Sequence, residues 1–190
     1  MLDTILLRIA KSSILSKLDS TYSFNEEKLL SEYPYLKKDG AVFVTLKFRG
    51  DLKGCIGSIV AHQRLVDDIV PNAFSAAFSD SRFSPLNFDE LSDLTLEVSL
   101  LSEPEVLEYE DFNDLCQKVE PNFDGLILKH NGYRGTFLPQ VWKQLPTPKL
   151  FLENLSMKAG ADISIYAQHP TIYRYGVDSI EEKFDEILSL

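Results

Sequence analysis

The stretch Leu52-Lys53-Gly54-Cys55-Ile56-Gly57-Ser58 decides how the first half of the chain folds. It follows residues 41–48, which are rich in β-branched and aromatic side chains, across the turn Arg49-Gly50-Asp51, and the two segments predict a β-hairpin. Glycine packs nothing inside a strand, so the two glycines around Cys55 indicate a bulge, a bend or a surface that something approaches closely. The returning strand of this hairpin is therefore the first candidate site.

Helical and extended patterns surround the hairpin. Residues 3–18 and 64–79 repeat apolar side chains at helical spacing, and residues 94–100 alternate apolar with polar side chains as a half-buried strand does. Asn131-Gly132 predicts the turn of a second hairpin. Shorter helices are predicted at residues 111–119, 149–158 and 179–188, and a further strand at residues 171–175. Hairpins separated by helices favour an α+β fold, with a mainly antiparallel sheet flanked by helices and a smaller second lobe, in one domain spanning residues 1–190.

Composition limits the class of protein. The chain has 190 residues, 44% of them hydrophobic and 25% charged, which is enough to bury a core. Its formal net charge is -10 and its 19 basic residues are scattered, so nucleic acid is not expected as a partner. The start Met1-Leu2-Asp3-Thr4 lacks the basic region of a signal peptide, and no apolar run reaches membrane-spanning length. We expect a soluble, cytoplasmic protein with no membrane partner.

The residue types that commonly bind metals and cofactors show no recognisable motif in this sequence. Cys55 and Cys116 have neither the spacing of a metal motif nor that of a disulfide framework, which fits a reducing compartment. His62, His130 and His169 are widely separated and lie outside any cysteine or carboxylate cluster. There is no Walker loop, dinucleotide-binding glycine pattern, serine-centred elbow or metalloprotease motif. The sequence therefore predicts no metal site and no cofactor.

Three segments occur together in a specific order. They are Leu52-Lys53-Gly54-Cys55-Ile56-Gly57, Asp80-Ser81-Arg82-Phe83-Ser84-Pro85-Leu86 and Thr136-Phe137-Leu138-Pro139-Gln140-Val141-Trp142-Lys143-Gln144-Leu145-Pro146. Their order and spacing resemble the AMMECR domain family, also called AmmeMemoRadiSam system protein A, from the first helix to the strand Tyr173-Arg174-Tyr175. One departure is Lys53, where the family motif carries arginine. Lysine keeps the positive charge but lacks the planar fork that grips a phosphate or carboxylate at two points.

The resemblance implies a two-lobed α+β domain in a prokaryotic cytosol, associated with a Memo-like protein and a radical SAM protein. It brings no established reaction and no agreed catalytic residues. We therefore expect an accessory or small-molecule-binding partner in such a system. The alternative is an enzyme that uses Cys55 as a thiolate nucleophile on a small metabolite.

Cys55 is the candidate catalytic residue. On an ideal strand Lys53 would share its face at roughly 7 Å, and a nearby ammonium favours the reactive thiolate. His62 or His130 could act as the base. The alternative is that Cys55 is a small buried hydrophobe, with the glycines allowing tight contact between the strand and a helix.

Arg82 and Phe83 indicate a pocket for a small anionic ligand. The guanidinium would meet the anion, while Phe83 and the strand that carries the thiol would form an apolar wall. The alternative is that Arg82 is a structural staple, which bonds backbone carbonyls or the carboxylate of Asp80.

The second hairpin and the third segment supply the remaining candidates. Tyr133, Arg134 and Thr136 could complete the anion pocket. Trp142 is expected to anchor a turn in the core through its indole N–H, with contact to a partner protein as the alternative. We predict that the thiol strand, the arginine turn and the tryptophan loop converge into one concavity. Its predicted ligand-binding residues are Lys53, Gly54, Gly57, Arg82, Phe83, Thr136, Gln140 and Trp142.

Overall fold

The computed structural model of the chain describes residues 2–19, 22 and 24–190. The chain divides into two compact units, the first made of Met1–Leu101 with Asp178–Leu190 and the second of Ser102–Val177. Each unit has its own four-stranded sheet and its own hydrophobic core. The strand pairs are antiparallel. The α+β fold with a smaller second lobe, predicted from the sequence, is confirmed.

The secondary structure alternates short helices with strands. The helices are α1 (Ile5–Leu18), α2 (Glu26–Glu32), α3 (Leu65–Phe78), α4 (Phe112–Lys118) and α5 (Pro148–Lys158). The strands are β1 (Val42–Phe48), β2 (Asp51–Gly57), β3 (Leu94–Leu101), β4 (Glu105–Val106), β5 (Gly125–His130), β6 (Tyr133–Phe137), β7 (Thr171–Tyr175) and β8 (Val177–Lys183). In the part of the chain that the structure describes, no helix is both long and apolar enough to cross a membrane.

Side-chain alternation decides which face of the first sheet is buried. The strands lie in the order β2-β1-β3-β8, and α1 and α3 pack against the sheet. The residues that alternate into this core are completely or almost completely buried: Val42, Val44, Leu46, Leu94, Leu96 and Val98. Each such side chain stabilises the fold by about 1.5–3 kcal/mol relative to exposure. The residues between them, such as Thr45 and Lys47, lie on the opposite face of the sheet.

A buried carboxylate joins α3 to the first hairpin. Asp68 is 0% exposed. One of its oxygens accepts the N–H of Val42 at 2.8 Å and the side-chain amide of Asn72 at 3.1 Å. The other accepts the hydroxyl of Ser58 at 2.6 Å and the amide of Gln63 at 2.9 Å. A buried carboxyl group without donors would be costly, and here four donors satisfy its two oxygens.

The second unit is built on the central strand β5. Its sheet has the order β4-β7-β5-β6, and Leu126 and Leu128 of β5 are fully buried in the core. The predicted second hairpin is confirmed, because β5 and β6 are joined by Asn131 (φ 44°) and Gly132 (φ 89°). Positive φ at both positions is the geometry that favours Asn-Gly in two-residue turns.

Two stretches differ from the sequence prediction. The helix predicted at residues 179–188 is wrong, because Val177–Lys183 forms β8 at the edge of the first sheet. The hydroxyl of Ser179 bonds that of Ser99 on β3 at 2.8 Å, and Glu181 pairs with Lys47 of β1. These tertiary contacts outweigh the local helix propensity of the segment. A short helix, α2, also forms in the polar region before the first hairpin, where the side chain of Asn25 accepts the N–H of Lys28.

Candidate functional site

Strand β2 carries a bulge at the position where the sequence placed the lysine. Leu46 pairs with Gly54 and Lys47 pairs with Leu52, so Lys53 is the extra residue in β2. Its ammonium donates to Glu90 at 2.6 Å and to the hydroxyl of Ser84 at 3.1 Å. The charge of Lys53 is therefore balanced by a carboxylate of the same unit.

Glu90 is held as a carboxylate at this contact. Burial alone would raise its pKa, but hydrogen bonds from Lys53 and from the N–H of Asn87 outweigh burial and lower the pKa. Asn87 and Glu90 also form a capping box at the start of the 3-10 helix Phe88–Asp93. The spacing Asn-x-x-Glu is visible in the sequence and could have identified Glu90 as a fixed carboxylate.

Gly54 lets α3 lie directly on the hairpin. A Cβ at Gly54 would be 2.0 Å from the carbonyl oxygen of Ala76 in α3. A Cβ at Gly57 would meet the ring of Phe43 and the carbonyl oxygen of Val42, both at 2.4 Å. Both glycines are thus required by close approach of neighbouring atoms, as the sequence indicated.

The thiol of Cys55 lies in a polar row across three strands. Thr45 pairs with Cys55 on one side and with Glu97 on the other, so the three side chains share the face opposite the helices. Sγ of Cys55 accepts the hydroxyl of Thr45 at 3.3 Å. Glu97 accepts the ammonium of Lys47 at 2.8 Å and the hydroxyl of Ser99 at 3.1 Å. The thiol is half-buried.

The arginine turn holds the edge strand by its backbone. Asp80 accepts the N–H of Cys55 at 3.0 Å, and Arg82 donates to the carbonyl oxygen of Cys55 at 3.2 Å. Asp80 also accepts Nε and Nη2 of Arg82 at 2.9 and 2.7 Å. Because β2 is an edge strand, this ion pair occupies the backbone groups that a further strand would otherwise bind. We call it the Asp80–Arg82 clamp.

Hydrogen bonding in the clamp fixes the charge of both partners. The bond from Arg82 is the main reason why the pKa of Asp80 lies well below its usual range, and the N–H groups of Cys55 and Arg82 add to it against burial. The same bond raises the pKa of Arg82, with smaller Coulomb contributions from Asp80 and Cys55. The structure therefore shows the staple that the sequence left as an alternative. The guanidinium also lies 5.2 Å from the ring centre of Phe83, and 57% of the Arg82 side chain is exposed.

The two histidines considered as a base for the thiol form hydrogen bonds with other groups of the described chain. The ring of His62 bonds the carbonyl oxygen of Val60 at 2.9 Å. His130 belongs to the second unit and contacts Gln168 and Asn131. Across the described ranges 2–19, 22 and 24–190, no group of three His, Cys, Asp or Glu side chains is arranged to hold a metal ion.

The third segment belongs to the second unit. Trp142 is 1% exposed, stacks on Phe151 at 3.8 Å between ring centres and donates its indole N–H to the carbonyl oxygen of Asp124 at 2.8 Å. Thr136 is buried and pairs with Ile127, whereas Gln140 is exposed. Trp142 is thus the core anchor that the sequence indicated. The convergence of the three segments into one concavity stays a prediction.

Comparison with known proteins agrees with the motifs. The AMMECR1 family model matches residues 7–180. This chain belongs to the AMMECR1 family. The match includes all three segments that carried the resemblance.

Relatives and a solved structure cover nearly the whole chain. A protein of Methanothermobacter thermautotrophicus is 34% identical over 180 residues, which are 93% of this chain and 92% of that protein. A protein of Sulfolobus acidocaldarius is 34% identical over 201 residues, which cover 97% of this chain and 85% of the relative. The crystal structure of an uncharacterized protein from Pyrococcus horikoshii has a TM-score of 0.78 and 29% identity, covering 94% of this chain and 90% of that chain. The AMMECR1 fold therefore extends over both units.

Three contributors to the site in this AMMECR1 protein were missed by sequence reasoning. Thr45 and Glu97 enter only through strand register, and Glu90 enters through its contact with Lys53. The alternation along β1 and β3 could have placed Thr45 and Glu97 on the face opposite the core. Which residues stand side by side on neighbouring strands requires the register, which no local pattern supplies.

Proposed function

We propose that this AMMECR1-family protein is an accessory component that works with a Memo-like protein and a radical SAM protein. Its task is to bind a companion or a small ligand at the surface formed by Lys53, Cys55, Arg82 and Phe83. The observation that carries the proposal is the Asp80–Arg82 clamp, because it orients an exposed guanidinium on a fixed strand edge.

The clamp supports binding because it spends only part of the guanidinium. Nε and Nη2 are engaged by Asp80 and by the carbonyl oxygen of Cys55. Nη1 makes no hydrogen bond within the described part of the chain, so its two N–H donors remain for a partner. A guanidinium that is already oriented loses little conformational freedom when a carboxylate or carbonyl binds to it.

The groups around the thiol also favour a binding function over covalent chemistry. Lys53 is paired with Glu90, and the hydrogen bond that Sγ receives comes from the neutral hydroxyl of Thr45. Among the described residues of the first unit, no histidine or carboxylate is hydrogen-bonded to the thiol. A general base within hydrogen-bond reach is what a covalent mechanism of this kind requires. Binding is therefore the function that this geometry supports best.

The test is complex formation with the Memo-like protein of the same organism. Arg82→Gln removes the charge and the fork, and we expect binding to weaken at least about tenfold, since a charge-assisted hydrogen bond is lost. Arg82→Lys keeps the charge but lacks the planar fork, so its affinity should lie between those of wild type and Arg82→Gln. Arg49→Gln is the matched control, because Arg49 is an exposed arginine of the same unit, at the turn between β1 and β2, and pairs with Asp93.

The outcome depends on all three variants. Equal binding by wild type, Arg82→Gln and Arg49→Gln would reject this surface as the interface. Urea unfolding of each variant must accompany the binding data, since Arg82 also supports β2.

The second candidate function is an enzyme with Cys55 as its nucleophile. The observation in its favour is that Sγ accepts a hydrogen bond from Thr45 and that Cys55 contributes to the raised pKa of Arg82. A hydrogen-bond donor and a guanidinium nearby are surroundings typical of reactive cysteines.

Alkylation of the native protein separates the two candidates. Cys116 is an internal control, because burial raises the pKa of its thiol and leaves little thiolate at neutral pH. A nucleophilic Cys55 should react with iodoacetamide at least about tenfold faster than Cys116, and Thr45→Val and Arg82→Gln should slow it. Absence of labelling at Cys55 until the protein unfolds would eliminate the enzyme and leave the binding function.

A further inference from the structure

Strands β6, β5 and β7 bring three polar side chains into one row. Lys129 of β5 pairs with Arg134 of β6 on one side and with Thr171 of β7 on the other. Directly paired residues of antiparallel strands present their side chains on the same face. Neighbouring strands are about 4.8 Å apart, so the backbones that carry the three side chains span about 10 Å.

The two cations of this row have no carboxylate partner. The side chain of Arg134 makes no hydrogen bond or ion pair in the described part of the chain. Every other arginine does: Arg8, Arg49, Arg64, Arg82 and Arg174. The ammonium of Lys129 lies 4.8 Å from the ring centre of Tyr173 and also pairs with no acid among the described residues.

This arrangement costs stability unless an anion is present. Like charges directly opposite each other on neighbouring strands repel. The chain contains 29 acidic and 19 basic residues, so acids to pair with them are plentiful. Protection of an edge strand by charge would account for Arg134 on β6, but Lys129 lies on the inner strand β5, where no such protection is needed.

A concavity lies at the same place. It is a shallow, open depression rather than an enclosed cavity, and the row together with the turn residues 130–133 lines it. An aromatic ring beside the row is that of Tyr173, which lies 4.8 Å from the ammonium of Lys129. All of these residues belong to the second unit.

We propose that Arg134, Lys129 and Thr171 form a binding site for a phosphate group of a small molecule. The guanidinium can donate two parallel hydrogen bonds to phosphate oxygens, the ammonium supplies a second charge and the hydroxyl a further donor. An organic group attached to the phosphate would lie against the ring of Tyr173. The net charge of -10 disfavours nucleic acid as the source of the phosphate. This site does not depend on the proposed function, since it involves neither the clamp nor Cys55.

NMR titration of the full chain tests the proposal. Inorganic pyrophosphate and adenosine monophosphate are added separately at low ionic strength, and the amide resonances are followed. We expect shifts centred on residues 129–134 and 171, with an affinity that falls as sodium chloride is added. Tighter binding of the nucleotide than of pyrophosphate would assign the site to an organic phosphate, whereas the reverse would assign it to the free anion.

Three variants decide whether these residues carry the binding. Arg134→Gln and Lys129→Gln should each weaken it about tenfold or more. Lys149→Gln removes the same charge from an exposed position of the same unit and should leave the affinity unchanged. No shift with either probe at millimolar concentration, or equal affinity in wild type and Arg134→Gln, would overturn the proposal. Arg134→Gln should leave binding of the Memo-like companion intact, so a failure here is distinguishable from a failure of the proposed function.

Discussion

The two units place arginine at the edges of their sheets in opposite states. Beside β2, Arg82 is fixed by Asp80 and bonds the backbone of Cys55. On β6, Arg134 has no partner among the described residues and faces Lys129 across the strand pair. Asp80 and the carbonyl oxygen of Cys55 thus fix the orientation of the first guanidinium, whereas no group in the described part of the chain fixes the second.

Two buried carboxylates, one in each unit, differ in the direction of their pKa shifts. Asp80 and Asp124 are equally buried and each pairs with an arginine, at 2.7 and 3.0 Å. Hydrogen bonds lower the pKa of Asp80, whereas burial raises the pKa of Asp124 despite hydrogen bonding to Glu120 and the charge of Arg174. The charge of Asp80 therefore stabilises the first unit, and the charge of Asp124 opposes the folding of the second.

The largest difference between the two units is expected at the glycines that contact the helices α3 and α5. A Cβ at Gly54 would be 2.0 Å from the backbone of α3, and one at Gly135 would be 2.8 Å from the backbone of α5. Backbone atoms cannot move aside, so Gly54→Ala should lower the free energy of unfolding by more than about 3 kcal/mol and Gly135→Ala by about 1–2 kcal/mol.

Urea unfolding followed by circular dichroism and by fluorescence measures this difference. Trp142 is the chain's one tryptophan and reports on the second unit. Gly176→Ala is the control, because the nearest atom to its Cβ is 3.9 Å away, and it should change stability by less than about 0.5 kcal/mol. A Gly54→Ala protein as stable as Gly176→Ala would contradict the close approach of α3.

The next largest effect is expected from the buried carboxylates. At pH 7, Asp80→Asn should lower the free energy of unfolding by about 1–2 kcal/mol, because a charge-assisted bond to Arg82 is lost. Since the pKa of Asp80 is lowered by folding, its contribution is present above the unfolded pKa of about 3.9 and is lost as the pH falls. The difference between wild type and Asp80→Asn should therefore shrink in acid.

Asp124→Asn should show the opposite dependence on pH. Folding raises the pKa of Asp124, so the stability linked to its protonation is present below the unfolded pKa and is lost as the pH rises through the folded pKa. The free energy of unfolding of Asp124→Asn should therefore increase relative to that of wild type as the pH rises. Urea midpoints between pH 3 and pH 7 measure both slopes, and parallel curves for the two variants would refute the contrast.

The smallest effect concerns the charged row of the second unit. Without a ligand, Arg134→Glu should raise the free energy of unfolding by about 0.2–1 kcal/mol, because an attractive pair with Lys129 replaces a repulsive one. Arg134→Gln should give a smaller gain. Thermal unfolding in phosphate-free buffer measures the change, and a destabilised Arg134→Glu protein would show that Arg134 has a structural partner.

Local signals predicted much of the fold. The turn Asn131-Gly132, the alternating strand β3 and the helical spacing of α1 and α3 are patterns of neighbouring residues, and each matches the structure. The helix prediction for residues 179–188 was wrong because the partners of this segment are distant in sequence. Glu181 pairs with Lys47, and Ser179 pairs with Ser99. No pattern within residues 179–188 announces those contacts.

The candidate site was predictable to the same extent. The pairing of Arg82 with Asp80, two residues away, was foreseen as an alternative because it is local. The glycines indicated a bulge as one of three possibilities, but the distance expected between Lys53 and Cys55 assumed an ideal strand. The pairing of Lys53 with Glu90 joins the bulge to a distant 3-10 helix, which no local pattern reveals. Thr45 and Glu97 became neighbours of Cys55 through register alone.

The four hydrogen bonds to Asp68 have a consequence for how α3 can dock. Their donors come from the start of β1, from the segment after β2 and from α3 itself, so all of them are in place in only one alignment. Sliding the helix by a single turn would move the carboxyl group about 5.4 Å. The group would then lose its donors outside the helix and remain buried without hydrogen bonds, which is costly. The hydrogen-bond network therefore favours one alignment of α3 with the first hairpin and destabilises shifted alignments.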